Sequence, residues 1–282
     1  MTTENEKPSL YTTCPYCGKK ILSMVGLFVS MDPTDERHAA TIGLERVCDC
    51  DTAKRLAKEE KAQEEAKKRE KTAKERIKAE RARFINAGMP ENWQRERGLS
   101  KWTQDDVSRQ QAYDAAVCFG VGMSTRTAPR SLYIVGDIGA GKTFLSSCLC
   151  ADLVRRKVRV LWRNVSDILR EIRASFGKKE NREQEVMASF MKPAVLVLDD
   201  LGKERPTEWA VEQLIAVVNA RYDAGKPVIV TTNYGGEELV KRLTPRGESD
   251  DTTARAIVDR LRGTCKCVKL EGSSRRTYET GA

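Results

Sequence analysis

The sequence predicts an α/β fold, in which a parallel sheet carries helices on both faces and is preceded by a small metal-binding domain and a charged helix. Three observations support this. From about Ala87 onward, apolar β-prone runs alternate with segments of helical periodicity, a phosphate-binding loop follows the first run, and four cysteines cluster near the N-terminus. The predicted domains are 1–52 for the metal-binding domain, 53–86 for the helical linker and 87–282 for the core.

The composition fits a globular protein outside the membrane. Of the 282 residues, 40% are hydrophobic, enough for a sizeable core, and 32% are charged, which exceeds the usual quarter or so. No stretch approaches the roughly 18 apolar residues of a membrane span, and the polar segment 1–9 lacks the apolar centre of a signal peptide. We therefore expect a soluble, cytoplasmic protein, and its net charge of +9 favours a polyanionic partner.

Two close pairs of cysteines lie near the N-terminus. Cys14 and Cys17 form a C-x-x-C turn followed by glycine, and Cys48 and Cys50 form the second pair. Four thiolates complete a tetrahedral Zn²⁺ site with no open position, so the predicted zinc is structural. Such a small domain needs the metal for stability. The alternatives are a redox C-x-x-C motif and a site in which His38 replaces one cysteine.

The cysteines of the core are predicted to pack as small apolar residues. Cys148 and Cys150 belong to the helix after the phosphate-binding loop. Cys265 and Cys267 are two residues apart on a predicted strand and therefore face the same way. A second metal-binding pair is the alternative to core packing at that position.

The segment from Asp51 to Arg83 is rich in Ala, Lys, Glu and Arg and contains neither Gly nor Pro. Pairs such as Glu65 with Arg69 and Glu70 with Lys74 have the i, i+4 spacing that stabilises a solvated helix. The apolar residues are too sparse for a coiled-coil seam. We predict a long charged helix that joins two domains, and a nucleic-acid-binding arm is the alternative.

A Walker A motif, G-x-x-x-x-G-K-T, lies between an apolar strand and a helix, which is the setting that this phosphate-binding loop requires. Its glycines let backbone N–H groups converge on phosphate oxygens at a helix N-terminus. Lys142 is predicted to bind the β- and γ-phosphates of ATP, and the Thr143 hydroxyl to ligate Mg²⁺. The predicted nucleotide-binding residues are Gly136, Asp137, Ile138, Gly139, Ala140, Gly141, Lys142 and Thr143.

Polar residues also end two later strands. Residues 194–198 form an apolar strand that ends in Asp199 and Asp200, as in a Walker B motif. Asp199 is predicted to hold Mg²⁺ through its water shell, and Asp200 to polarise the attacking water. The alternative is that the two aspartates cap the next turn. Asn233 ends the strand that follows and is predicted to orient the water, although Asn is also a common turn residue.

Together these motifs resemble the AAA+ ATPases, and finer features resemble the bacterial or phage helicase loaders of the DnaC/DnaI type. The similarity covers roughly residues 87–276 and is shared with the IstB-type transposition ATPases. The features that carry it are Ala87-Gly88-Met89-Pro90, residues 163–169, Asp199-Asp200-Leu201-Gly202-Lys203-Glu204 and Asp259-Arg260-Leu261. The N-terminal cysteines resemble the zinc-bearing domain of DnaI-type loaders.

The resemblance implies a protein that uses ATP to self-associate and to place a ring-shaped replicative helicase on single-stranded DNA. The zinc domain would bind the helicase, and the core would bind DNA and neighbouring protomers. Two features depart from the wider AAA+ pattern: about a dozen residues follow the last strand, which leaves no room for a C-terminal helical lid, and Asp200 replaces the usual glutamate. The shorter side chain implies slow hydrolysis that acts as a switch.

In this family, an arginine of the helix before the last strand completes the active site of the neighbouring protomer. The resemblance assigns this arginine finger to Arg260, with Arg255 as the second choice and a surface ion pair as the alternative. It also places Arg276 at the nucleotide, although Arg275 stands where tyrosine is usual. Two other functions stay open: an IstB-type transposition helper that binds target DNA, and a small-molecule kinase or NTPase, which would need a substrate lid.

Overall fold

The computed structural model describes residues 11–22, 48–125, 127, 131–177, 182–204, 206–247, 249–272 and 274. The chain divides into two compact units between Arg76 and Ile77. His38, which the sequence offers as an alternative zinc ligand, and Arg276, which the resemblance places at the nucleotide, lie outside the described residues. Within the described part of the chain, no helix combines the length and the apolar character needed to cross a membrane.

The N-terminal unit contains a small antiparallel hairpin and a long helix. Strands β1 (Tyr11–Thr13) and β2 (Lys20–Leu22) pair through Thr12 and Ile21. Helix α1 (Asp51–Asn86) agrees with the predicted charged helix, and two predicted i, i+4 pairs, Glu65 with Arg69 and Glu70 with Lys74, are observed. Its last ten residues belong to the second unit, where Phe84 is fully buried.

The core unit alternates strands and helices as the sequence predicts. Before the sheet come α2 (Trp93–Glu96), a 3-10 turn (Leu99–Lys101) and α3 (Val107–Thr125). The remaining elements are β3 (Ser131–Gly136), α4 (Lys142–Arg155), β4 (Val160–Asn164), α5 (Val165–Arg173), α6 (Arg182–Met191), β5 (Val195–Leu201), α7 (Glu208–Asp223), β6 (Val228–Thr232), α8 (Gly236–Leu243), α9 (Thr252–Thr264) and β7 (Cys265–Leu270).

The five strands of the core form one parallel sheet in the order β4-β5-β6-β3-β7. Helices α3 and α4 pack on one face, and α5 to α9 supply the core of the other face. Helix α5 shows why such segments are helical, since Val165, Ile168, Leu169 and Ile172 recur at the spacing of one helical face and are buried. Because all strands are parallel, their carboxyl ends share one edge, where ligands bind in such folds.

One side chain, Arg155 near the end of α4, attaches the segment before the sheet to the core. Its guanidinium donates to the backbone oxygens of Gln94 (2.6 Å) and Arg97 (2.7 Å) and pairs with Asp152. The other carboxylate oxygen of Asp152 accepts the N–H of Leu99 at 3.0 Å. These contacts hold the chain that leads to Trp102 close to the phosphate-binding loop.

Two local features depend on details of the fold. β4 begins only at Val160, because Val158 donates its N–H back to Leu153 and so takes part in the C-terminal cap of α4. Cys265 is buried as predicted, whereas the prediction of core packing for Cys267 is wrong. Both lie on one face of β7, but β7 is the edge strand, and Cys267 is exposed there.

Candidate nucleotide-binding site

The phosphate-binding loop connects the end of β3 to the start of α4, so its backbone N–H groups lie at a helix N-terminus. Gly141 has a φ of +102°, and a Cβ at this position would lie 3.3 Å from the ring of Trp102. At Gly139, with a φ of +86°, a Cβ would overlap Ser274. Glycine is therefore required at both positions by the backbone conformation and by close neighbours.

Lys142 is folded against its own loop. Its Nζ donates to the backbone oxygens of Gly136 at 2.9 Å and Asp137 at 2.8 Å, and the residue is 5% exposed. Burial lowers the pKa of Lys142, and the nearby positive charge of Lys203 adds to this effect. A phosphate group would supply the negative charge that this buried ammonium lacks.

Asp199 is a buried carboxylate that accepts hydrogen bonds from two hydroxyl groups. Thr143 Oγ1 donates to it at 3.0 Å, and Thr231 Oγ1 on the neighbouring strand β6 donates at 2.6 Å. Burial raises the pKa of Asp199 to about 6 in spite of these hydrogen bonds. The oxygens of Thr143 and Asp199 form the kind of hard ligand set that Mg²⁺ binds.

Asp200 lies in an irregularity of the sheet. Leu198 pairs with Val230 and Leu201 with Thr232, so two residues of β5 oppose Thr231 alone. Asp200 accordingly has a φ of +62°, in a region that Asp tolerates better than most residues, and its N–H donates to Thr231 Oγ1 at 2.9 Å. At this bulge, the Asp200 side chain forms an ion pair with Lys203, in the turn that follows β5, at 2.7 Å.

A cavity of about 540 Å³ lies at this edge of the sheet. Lys142, Thr143, Asp200 and Asn233 all line it, so the structure brings these predicted site residues together. Asp199 lies below it and reaches it through Thr143. Asn233 follows β6 directly, and its side chain has no hydrogen bond among the described residues.

Eight further residues, which the sequence did not predict, line the same cavity. Four belong to an aromatic and cationic cluster, in which Trp102 stacks on Phe144 at 6.2 Å, and Arg97 and Arg109 lie over these two rings. The Arg109 guanidinium lies 3.7 Å from the centre of the Trp102 ring. The other four are Lys101, Thr103, Ser147 and Lys203. Phe144 directly follows the Walker A motif, which is the one signal that could have identified this cluster.

The four N-terminal cysteines lie together, with their sulfur atoms all within 4.8 Å of one another. The Sγ distances are 3.9 Å for Cys14 and Cys50 and 3.3 Å for Cys17 and Cys48. A tetrahedral site with Zn–S bonds of about 2.3 Å separates its sulfurs by about 3.8 Å, so the cluster fits Zn²⁺. None of the four forms a disulfide.

The thiols of this cluster differ in acidity. A hydrogen bond from the backbone of Tyr16 lowers the pKa of Cys14 to about 7. Cys48 receives a backbone hydrogen bond from Cys50 that lowers its pKa, but the neighbouring Cys17 thiol and burial together raise it to about 12. Binding of a divalent metal to such a cluster releases protons.

Arg260 is placed away from the predicted ATP site. It lines a second cavity, of about 290 Å³, together with Ser131 and Val228, which begin β3 and β6. This is the edge of the sheet opposite to the phosphate-binding loop. Arg255 instead pairs with Asp251 at 2.9 Å and Glu237 at 3.1 Å.

The sequence profile of the family described as IstB-like ATP binding protein matches residues 121–281, which include the whole Walker A and Walker B segments. The chain belongs to this family. The predicted relationship to the IstB and DnaC group is thereby confirmed, and with it the α/β fold with a parallel sheet and the binding of ATP.

Two replicative helicase loaders are similar to about half of this chain. The replicative helicase loader DnaI of Bacillus subtilis is 27% identical over 150 residues, which is 52% of this chain and 48% of that protein. The replicative helicase loader DnaC of Escherichia coli K12 is 26% identical over 152 residues, 54% of this chain and 58% of that protein. The chain thus spans about half the length of the curated relatives it matches.

A solved structure supports the fold of this IstB-like ATP-binding protein. The crystal structure of DnaI superposes with a TM-score of 0.55 at 27% sequence identity, and covers 67% of this chain and 94% of the DnaI chain.

Proposed function

We propose that the protein is an ATP-dependent loader, which places a ring-shaped replicative helicase on single-stranded DNA at the start of replication. The observation that carries this proposal is the cluster of Lys142, Thr143 and Asp199 at the carboxyl edge of the sheet, in a chain whose relatives include the replicative helicase loaders DnaI and DnaC. In ATP-driven switch proteins, side chains of these types bind the phosphates and Mg²⁺.

The phosphate groups of ATP would bind to the loop formed by residues 136–143. Its backbone N–H groups and the Lys142 ammonium would bind the phosphate oxygens, and Lys142 would leave the carbonyls of Gly136 and Asp137 to do so. The aromatic cluster of Trp102 and Phe144 lies beside the loop and would contact the nucleoside.

Mg²⁺ would be held by Thr143 and Asp199. The fit rests on the short approach of these two oxygens and on the burial of Asp199, whose charge has no cationic side chain bonded to it among the described residues. When bound, the ion supplies positive charge that neutralises the phosphates. Thr231 would keep the Asp199 carboxylate in place through its hydrogen bond.

Asp200 would take a proton from the attacking water, and Asn233 would orient this water. The water oxygen forms a bond to the γ-phosphorus while the bond from that phosphorus to the β-γ bridging oxygen breaks, which leaves ADP and inorganic phosphate. Asp200 has a short side chain, which favours slow hydrolysis, as suits a switch.

The active site would be completed by Arg260 of a neighbouring protomer. Arg260 lies at the far edge of the sheet from its own phosphate-binding loop and has no ion pair within the described part of the chain. Arg255 is held by two carboxylates, so it is less available. This difference supports Arg260 as the arginine finger and self-association through the core.

The remaining roles concern partners. Zn²⁺ bound by Cys14, Cys17, Cys48 and Cys50 would fold the N-terminal domain, which would bind the helicase, and α1 would set its reach. The core would bind single-stranded DNA through lysines and arginines, in line with the net charge of +9.

The IstB-type transposition helper is the second candidate function, because the matching family profile carries that name. Both functions use the same ATP site, so the site does not separate them. The partner does: a loader binds a replicative helicase, whereas a transposition helper binds a transposase. Replication genes beside this gene favour the loader, and a transposase gene favours the helper.

The test uses the full chain as bait for host proteins, with ATP present, and mass spectrometry identifies what is captured. The loader proposal predicts the replicative helicase. It also predicts that the purified pair, with ATP, deposits the helicase on circular single-stranded DNA, measured as unwinding of an annealed strand.

The matched control replaces Cys14 and Cys17 by serine, which removes two zinc ligands and leaves the core unchanged. This variant should still bind ATP but should lose the helicase. Capture of a transposase, or helicase deposition that is equally fast without ATP, would refute the loader function.

A further inference from the structure

We propose that Lys203 is a positioning residue that responds to the γ-phosphate: it holds the Asp200 carboxylate in the nucleotide-free site and transfers to the phosphate when ATP binds. This inference rests on the proposed ATP hydrolysis at the same site. No feature of the Walker motifs assigns a role to Lys203, which lies three residues after Asp200 in the turn that follows β5.

The turn after β5 holds Lys203 beside Asp200. Lys203 Nζ lies 2.7 Å from Asp200 Oδ1, and the N–H of Lys203 donates to the backbone oxygen of Asp200 at 3.3 Å. The N–H of Gly202 donates to both carboxylate oxygens of Glu204 at 3.1 Å. A Cβ at Gly202 would lie 2.8 Å from the Tyr234 ring. The backbone of the turn is therefore fixed, whereas the Lys203 side chain is 43% exposed.

The position of Lys203 in the cavity carries the second step. Lys203 lines the same cavity of about 540 Å³ as Lys142 and Asn233. A lysine there borders the cavity in which the phosphates would bind. A terminal phosphate carries more negative charge than a carboxylate and has three acceptor oxygens. It therefore competes well for an ammonium on a flexible stem, and the partly exposed pair with Asp200 is weak enough to exchange.

The exchange would link nucleotide state to chemistry. In the absence of the γ-phosphate, Lys203 forms an ion pair with the Asp200 carboxylate, which must receive a proton from water during hydrolysis. With ATP bound, Lys203 contacts the γ-phosphate and the Asp200 carboxylate becomes free. ADP lacks this phosphate, so Lys203 would stay on Asp200. A purely structural ion pair, in contrast, would treat ATP and ADP alike.

The experiment measures the dissociation constants of ADP and of the non-hydrolysable ATP analogue with a β,γ-methylene bridge, both with Mg²⁺. Lys203→Ala should raise the dissociation constant of the ATP analogue about tenfold, as expected for loss of one charged hydrogen bond. The dissociation constant of ADP should change less than about twofold. Lys203→Arg should restore most of the preference for the ATP analogue. The matched control is Lys101→Ala, which removes another lysine of the same cavity and should not change the ratio of the two constants.

A double-mutant cycle with Asp200→Asn tests the exchange itself. The single variant should bind the ATP analogue more tightly than wild type, because Lys203 no longer has to leave a carboxylate. In Asp200→Asn with Lys203→Ala this gain should disappear. A gain that persists in the double variant would show that simple repulsion between Asp200 and the phosphate explains it, and would overturn the exchange.

The inference would also be overturned if Lys203→Ala lost affinity for the ATP analogue and for ADP equally. The same holds if Lys101→Ala changed the ratio of the two dissociation constants as much as Lys203→Ala does. Failure of the proposed ATP site has a different outcome, since wild-type protein would then bind neither nucleotide. Thermal unfolding of each variant keeps the comparison to folded protein.

Discussion

Replacing Asp199 by Asn should stabilise the core while it abolishes ATP hydrolysis. The reason is the burial of this carboxylate, which is 2% exposed and has a pKa raised from 3.8 to about 6. A raised carboxylate pKa means that the folded state disfavours the ionised form. The stability that the protonated Asp199 carboxyl contributes is complete below the pKa of the unfolded state and is lost as the pH rises through about 6.

The magnitude follows from the shift. At pH 8 the raised pKa of Asp199 lowers the free energy of unfolding by about 3 kcal/mol, and at pH 5, where the folded protein holds this carboxyl mostly protonated, by about 1.5 kcal/mol. Asn has nearly the same shape and carries no charge. Its amide oxygen can accept from Thr231, and its amide nitrogen can donate to Thr143 if that hydroxyl rotates. The gain in Asp199→Asn should therefore approach these values.

The assay is urea unfolding at pH 5 and pH 8 in EDTA, followed by tryptophan fluorescence. All four tryptophans, Trp93, Trp102, Trp162 and Trp209, lie in the core unit, so the signal reports on this unit alone. The control is Asp223→Asn at the exposed end of α7, which should leave stability within about 0.5 kcal/mol of wild type. A destabilised Asp199→Asn, or a gain that is the same at both pH values, would refute the reasoning.

Three further predictions concern the proposed roles. Lys142→Ala should abolish ATP binding measured by calorimetry and leave the fold intact, and equal affinity in wild type and variant would contradict the site. Metal analysis should find one Zn²⁺ per chain, and a chelator should unfold the N-terminal domain with little effect on nucleotide binding; protein purified without added zinc that contains none would count against it. Arg260→Ala should bind ATP but lose hydrolysis by about 10³ or more, and mixing it with Asp200→Asn should restore activity, because one mixed interface pairs an intact finger with an intact site. Absence of rescue would place Arg260 in its own protomer or in folding.

The sequence allowed prediction of those parts of the site that are contiguous or that end a strand. The Walker A loop is one segment, and its chemistry depends on residue types at fixed spacing. Asp199 and Asn233 could be placed because the carboxyl ends of parallel strands meet at one edge. The cysteine cluster could be predicted for a similar reason, since two close pairs define most of the ligand geometry.

Other parts could not be predicted, because they depend on backbone details that no motif records. The approach of Lys203 to Asp200 requires the bulge opposite Thr231 and the positive φ of Asp200. The approach of Trp102 to Gly141 requires Arg155 to hold the preceding segment, more than 50 residues away in the sequence. The exposure of Cys267 depends on strand order, which places β7 at the edge of the sheet.

The buried charges of the ATP site have a common electrostatic character that argues for a switch. Asp199 is ionised against the cost of burial, and Lys142 is buried with only carbonyl partners. Mg²⁺ and ATP phosphates would relieve both costs at once, so nucleotide binding should stabilise the ends of β3, β5 and β6 more than contacts alone predict. Loss of the γ-phosphate would return part of this cost. The ATP-bound and ADP-bound cores would then differ in stability at one edge of the sheet, which is what a protein that assembles and releases a partner in turn requires.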